Sequence, residues 1–147
     1  MTFLASKYDC KIDAKGRLVL PSRIKGNFPE DTGNEVVLRM AFEPCLILYP
    51  MVEFKKTYQK IAGLNEFNKE HRALQRNFFS SISPVEIDSS GRILLPKPML
   101  EYAGLEKEAL VVGTGLRVEI WNPERYGDQA IDDPDELSKL AEKYLMD

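Results

Sequence analysis

Cys10-Lys-Ile-Asp-Ala-Lys-Gly-Arg-Leu-Val-Leu-Pro21 recurs seventy-five residues later as Val85-Glu-Ile-Asp-Ser-Ser-Gly-Arg-Ile-Leu-Leu-Pro96. Six of the twelve aligned positions are identical, where ordinary residue usage would leave roughly one. Of the other six, Leu18/Ile93 and Val19/Leu94 exchange one aliphatic for another. The chain is therefore internally duplicated, and each copy is a structural unit that needs a neighbour to bury its apolar face. In the first copy Tyr8, Cys10 and Ile12 alternate with Lys7, Asp9, Lys11 and Asp13, the period of a half-buried strand. Ala14-Lys15-Gly16 supplies a tight loop in which Gly16 takes a positive φ and Asp13 accepts loop amides. Arg17 to Leu20 is the returning strand; Pro21 then opens a short helix through Lys25, with Gly26 as its stop.

The second copy repeats the plan, with Val85 and Ile87 inward, Ser89-Ser90-Gly91 as the loop, Arg92 to Leu95 returning, and a helix from Pro96 to Ala103 closed by Gly104. Each copy is followed by two more strand-like runs: Glu35 to Met40 with Cys45 to Tyr49, and Ala109 to Val112 with Arg117 to Trp121. A helical connector has Phe54, Tyr58 and Ile61 on one stripe, and Leu64, Phe67, His71, Leu74 and Phe78 on the next, with Arg72 and Arg76 opposite. His71, the one histidine of the chain, reads as a packed or capping residue. At the C-terminus Leu137, Leu140, Ala141, Tyr144 and Leu145 share a face, as in a docked or intersubunit helix. The expected organisation is residues 1–53 as first repeat, 54–80 as helical connector, 81–126 as second repeat and 127–147 as C-terminal amphipathic helix. At 147 residues, two halves of this size are expected to share one core.

Charge separates the copies. From Lys7 to Lys25 six basic residues face two acidic ones, a local balance of +4, while from Glu124 to Asp147 eight acidic residues face three basic ones, a balance of −5. The chain as a whole carries −3, so any anion-binding surface must be gathered locally on the first repeat. The apolar runs at Val36–Met40 and Leu110–Val112 are too short to span a bilayer, and Met1-Thr-Phe-Leu-Ala-Ser lacks the features of a signal peptide. Two cysteines without a Cys-x-x-Cys pair or a histidine cluster point to buried thiols in a reducing cytoplasm and to no metal. None of the phosphate-loop, zinc-protease or nucleophile-elbow patterns occurs; neither an enzyme nor a cofactor is expected.

What remains is the doubled Asp-x-x-Gly-Arg loop. Asp13 and Asp88 are acceptors able to pin loop amides and the following guanidinium, and Gly91, like Gly16, permits the turn. The tip then offers backbone donors and cations to phosphates or a groove. Lys15 and Arg17 charge the first tip, with Lys11, Arg23 and Lys25 nearby, whereas Ser90 and Glu86 stand where the first copy has Lys15 and Lys11. The first copy is the stronger anion site.

The Ile-Asp-x-x-Gly-Arg-Leu/Ile-x-Leu-Pro phrase resembles the AbrB-like swapped-hairpin motif of bacterial regulators and some antitoxins. Two copies, together with Pro44-Cys-Leu-Ile-Leu-Tyr-Pro50, Arg72-Ala-Leu-Gln-Arg76, Val112-Gly-Thr-Gly and Glu119-Ile-Trp-Asn-Pro123, resemble the MraZ family. That resemblance implies an α+β, β-rich double swapped-hairpin barrel formed by the two intrachain repeats with flanking helices. It further implies a cytoplasmic, nucleoid-associated homo-oligomeric ring. Such a ring binds double-stranded DNA at short direct repeats in the promoter of the division and cell-wall gene cluster, commonly as a repressor. Carried over by position, Lys15, Gly16, Arg17 and Arg92 would contact DNA. An antitoxin-like protein-interaction module is the alternative.

Overall fold

The computed structural model describes residues 3–146. Met1, Thr2 and Asp147, which fall in the expected terminal segments, lie outside the described residues. The first repeat comprises β1 (Lys7–Lys11), β2 (Arg17–Val19), α1 (Ser22–Gly26), β3 (Glu35–Met40) and β4 (Leu46–Pro50). Two connecting helices follow, α2 (Met51–Ala62) and α3 (Lys69–Ser80). The second repeat comprises β5 (Ile82–Glu86), β6 (Arg92–Leu94), α4 (Lys97–Ala103), β7 (Glu108–Gly113) and β8 (Val118–Trp121), before α5 (Pro123–Gln129) and α6 (Pro134–Leu145). The first repeat holds two more residues between its phrase and β3 than the second does before β7, and a 3-10 turn at Glu30–Thr32 occupies that connection.

Strand pairing interleaves the repeats. Six strands form one antiparallel sheet in the order β1-β7-β8-β4-β3-β5, and β2 pairs with β6 in a separate ribbon. Exchanging the two repeats leaves this order unchanged: β1 on β7 becomes β5 on β3, while the β4–β8 and β2–β6 pairs map onto themselves. The registers agree too, Lys7 opposite Val112 corresponding to Ile82 opposite Arg39.

The two arms of each Asp-x-x-Gly-Arg loop therefore do not zip into a hairpin of their own. Only one bridge, Ile12 to Leu18, joins the arms of the first loop; beyond it each arm finds a partner in the other repeat. Nor does the pairing close into a barrel: β1 and β5 are the outer strands of an open sheet, and the ribbon is hydrogen-bonded to neither. The cause is packing. Leu18 and Ile93, opposite one another at the centre of the ribbon, are fully buried, which turns the ribbon's inner face onto the sheet instead of extending its edge.

Alternation along the central strands builds two cores. Leu46, Leu48, Val36, Leu38, Val111 and Ile120 face the ribbon together with Ile24 of α1 and Met99 and Ala103 of α4. Ile47, Tyr49, Val37 and Trp121 face the other way, against Phe54 of α2 and Phe78 of α3. The sheet is thus buried on both faces over its central strands, at about 25 cal/mol per Å² of apolar surface removed from water. The helix of the second repeat ends where expected, Gly104 taking a left-handed φ of 65° as its C-cap.

One expected helical stripe is interrupted. Leu64 and Phe67 precede α3 rather than lying on it, because the Asn68 side chain caps the helix by accepting from the Glu70 and His71 amides. His71 in turn accepts from the Asn65 amide at 3.0 Å, the capping role expected of it. Among the described residues no helix is long and apolar enough to cross a membrane.

Candidate nucleic-acid interface

In the first loop one carboxylate organises five residues. Asp13 Oδ1 accepts from the Lys15 and Arg17 amides, each at 2.9 Å, and Oδ2 accepts from Arg17 Nε at 2.7 Å. The backbone closes beneath, with the Asp13 amide donating to the Arg17 carbonyl and the Gly16 amide to the Asp13 carbonyl, both at 3.0 Å. Gly16 sits at φ +84°, a conformation costly to any residue with a Cβ. The second loop has the same construction: Asp88 Oδ1 accepts from the Ser90 and Arg92 amides, Oδ2 from Arg92 Nε, all at 2.9 Å, and Gly91 turns at φ +76°.

These bonds hold both carboxylates below the ordinary aspartate range. For Asp13 the largest cause is the Arg17 amide; burial opposes it, and the Arg17 side chain and Lys15 amide add to the lowering. For Asp88 the Arg92 amide leads, burial again opposes, and the Ser90 amide and Arg92 side chain follow.

Each loop is also stitched to the other repeat. The Leu95 amide donates to the Gly16 carbonyl and the Leu20 amide to the Gly91 carbonyl, both at 2.9 Å, so the loops sit at opposite ends of the β2–β6 ribbon. Arg17 lies opposite Leu94, and Arg92 opposite Val19. With Leu18 and Ile93 turned inward, all four of these neighbours share the outer face. Arg17 and Arg92 are therefore diagonal neighbours on one ribbon, roughly 7–8 Å apart by sheet geometry.

Not every cation of the sequence joins this face. Lys15 is exposed at the first tip, and among the described residues it takes part in no ion pair, unlike Arg17 and Arg92. Lys11 ends β1 opposite Glu108, lining a hollow that also holds Glu106 and Lys107. Arg23 and Lys25 are exposed on α1, beyond the end of β2. The corresponding place in the second copy is worse for an anion: Glu86 stands opposite Glu35, two like charges where the first copy has Lys11 and Glu108. The charge asymmetry of the sequence is thus matched by local pairing.

Val19 and Leu94, each 54% exposed, complete the outer face, and being uncharged they are not marked by the pattern of charge. Strict alternation from buried Leu18 puts Val19 beside Arg17, and that signal was present in Arg17-Leu-Val-Leu.

Both halves of the chain, residues 3–77 and 78–145, match a family model described as "MraZ protein, putative antitoxin-like". The chain belongs to the MraZ family. It is similar to a protein of Cytophaga hutchinsonii named transcriptional regulator MraZ, 54% identical over 99% of this chain and 96% of that one. Relatives of the same name occur in Christiangramia forsetii, 38% identical over 99% of this chain and 94% of that one, and in Symbiobacterium thermophilum, 38% identical over 90% and 93%. Membership in the MraZ family thus covers both loops and the ribbon between them.

Proposed function

We propose that this protein is a sequence-specific DNA-binding transcription regulator. In its finer form the reading is a repressor, in the cytoplasm at the nucleoid, that binds short direct repeats in the promoter of the division and cell-wall gene cluster as a homo-oligomeric ring. The observation that carries it is the pairing of two Asp-clamped loops across one ribbon, with Arg17 and Arg92 on its outer face and Lys15 free at a tip. The relatives named transcriptional regulators support the same reading. We read the exchange of strands between repeats as the AbrB-like swapped hairpin, the two halves of one chain acting as two chains do in a simpler dimer.

In this reading phosphate contacts from the Lys15 and Arg17 side chains position the loop, and Gly16, whose own amide is held by the Asp13 carbonyl, shapes the tip that approaches the DNA; Arg92 assists from the second copy, and Lys11 and Arg23 contribute charge. One loop neutralises few phosphates; several loops on one assembly add through local concentration. A mobility-shift titration on the DNA upstream of the protein's own gene, with the number of direct repeats varied, tests this. Affinity is expected to rise with repeat number, and absence of any shift at low salt would refute it.

The antitoxin-like alternative is favoured by one observation, the exposed apolar face of α6. It predicts a protein partner lost on deleting residues 129–147, with no DNA binding by the full chain.

A further inference from the structure

Arg39 is only 6% exposed, and among the described residues no carboxylate pairs with it. Its Nε donates to the Tyr49 hydroxyl at 3.1 Å and one terminal nitrogen to the Met40 carbonyl at 3.3 Å. The guanidinium lies 5.0 Å from the Phe42 ring centroid and 5.1 Å from that of Phe78. Aromatic faces compensate part of the cost of a buried cation, yet an arginine carries five donors in a fork shaped for a carboxylate. Its surroundings open into a groove of about 360 Å³ lined by Phe42, Leu74, Asn77, Phe78 and Tyr102. Phe42 is 83% exposed at its rim.

The complementary surface is on the same chain. Helix α6 has no buried residue, and Leu137, Leu140, Tyr144 and Leu145 leave its apolar stripe in solvent. Glu136, one turn before Leu140, borders that stripe. Charge agrees: residues 51–80, which include the groove's helix α3, carry six basic against three acidic side chains, and the segment from Glu124 onward is strongly acidic. A buried cation without its anion and an acidic amphipathic helix without its groove are two different, mutually fitting patches. Two different patches on one chain produce head-to-tail association.

We infer that the Arg39 groove receives helix α6 of a second copy of this chain, the stripe from Leu137 to Tyr144 lying between Phe42 and Leu74 and the Glu136 carboxylate meeting the Arg39 guanidinium. This inference rests on the homo-oligomeric part of the proposed function and is independent of DNA contact.

The test uses the full chain and two substitutions at exposed positions, Phe42→Glu on the groove and Leu140→Glu on the helix. Mass is measured by sedimentation at a concentration where the wild type is assembled. Each variant alone is expected to fall to the 16.8 kDa of one chain. Mixed in equal amounts they are expected to recover a 1:1 dimer, since one retains an intact helix and the other an intact groove. Glu136→Gln is expected to raise the concentration of half-assembly by about tenfold or more. Variants that assemble like the wild type, or monomeric variants that fail to pair on mixing, would overturn the inference while leaving assembly itself standing. A wild type that is monomeric throughout would instead overturn the homo-oligomeric reading, and this inference with it.

Discussion

Replacing Gly16 and Gly91 by alanine, one at a time, measures how the two loops are held. Both glycines have positive φ, +84° and +76°, so a Cβ at either place incurs the left-handed cost of about 1–2 kcal/mol. Beyond that shared cost the sites differ. A Cβ on Gly16 would lie 3.3 Å from the Leu95 carbonyl oxygen and 3.3 Å from a Leu100 methyl, while one on Gly91 meets nothing within 4 Å. Relief of the first contact must move the loop away from the second repeat, stretching the 2.9 Å bond from the Leu95 amide to the Gly16 carbonyl. Loss of one such bond is worth about 1 kcal/mol. Gly16→Ala should therefore destabilise the protein by about 1 kcal/mol more than Gly91→Ala, a further fall in Tm of about 3 °C for a chain of this size. Trp121 is the single tryptophan and is buried in the sheet, so urea and thermal unfolding can be followed by its fluorescence. Equal losses, or a larger loss at Gly91, would refute the stitching of the first loop to the second repeat.

Other outcomes follow from the same structure. Because Asp13 and Asp88 have lowered pKa values in the folded protein, their stabilisation is present above the unfolded value of about 3.9 and lost as pH falls through the folded value. Acid titration of Asp13→Asn/Asp88→Asn should accordingly show a shallower loss of stability than wild type, and parallel curves would exclude the clamps as its source. Cys45 is buried, and that burial pushes its thiol up to about 12; a maleimide at neutral pH should leave it unmodified in native protein, with the half-buried Cys10 reacting first. Rapid labelling of Cys45 before unfolding would contradict its place in the core. Gly113→Ala should loosen the N-terminal segment, because a Cβ there collides with the backbone of Leu4 and Ala5; faster amide exchange at Leu4, which donates to Gly115 at 2.8 Å, reports it, and unchanged exchange would count against the packing.

The strands were legible because their alternation is local: Tyr8, Cys10 and Ile12 against Lys7, Asp9 and Lys11, and again Glu35 to Met40. The loops were legible because Asp13, Gly16 and Arg17 have fixed roles at fixed spacing, and the duplication supplied a second reading of each. Partner choice was not legible. A strand that returns to its own arm and one that crosses to the other repeat present the same pattern of buried and exposed residues, and only the three-dimensional pairing distinguishes β2 on β6 from β2 on β1. Spacing also overran a helix boundary at Leu64 and Phe67, where the cap at Asn68 overrides the apolar period. The burial of Arg39 had no sequence signal, since an arginine in the run Glu35-Val-Val-Leu-Arg-Met40 reads as a solvent-facing position until α3 and Phe42 cover it.

DNA contact by the first loop is tested most directly by the salt dependence of binding. Affinity for the upstream direct repeats, measured by fluorescence anisotropy across a salt series, should fall on Lys15→Ala and on Arg17→Ala. The log-log slope should decrease by about 0.9 for each phosphate contact removed, with Trp121 fluorescence unchanged as proof of an intact fold. Slopes identical to wild type in both variants would contradict the assignment of this loop to the interface.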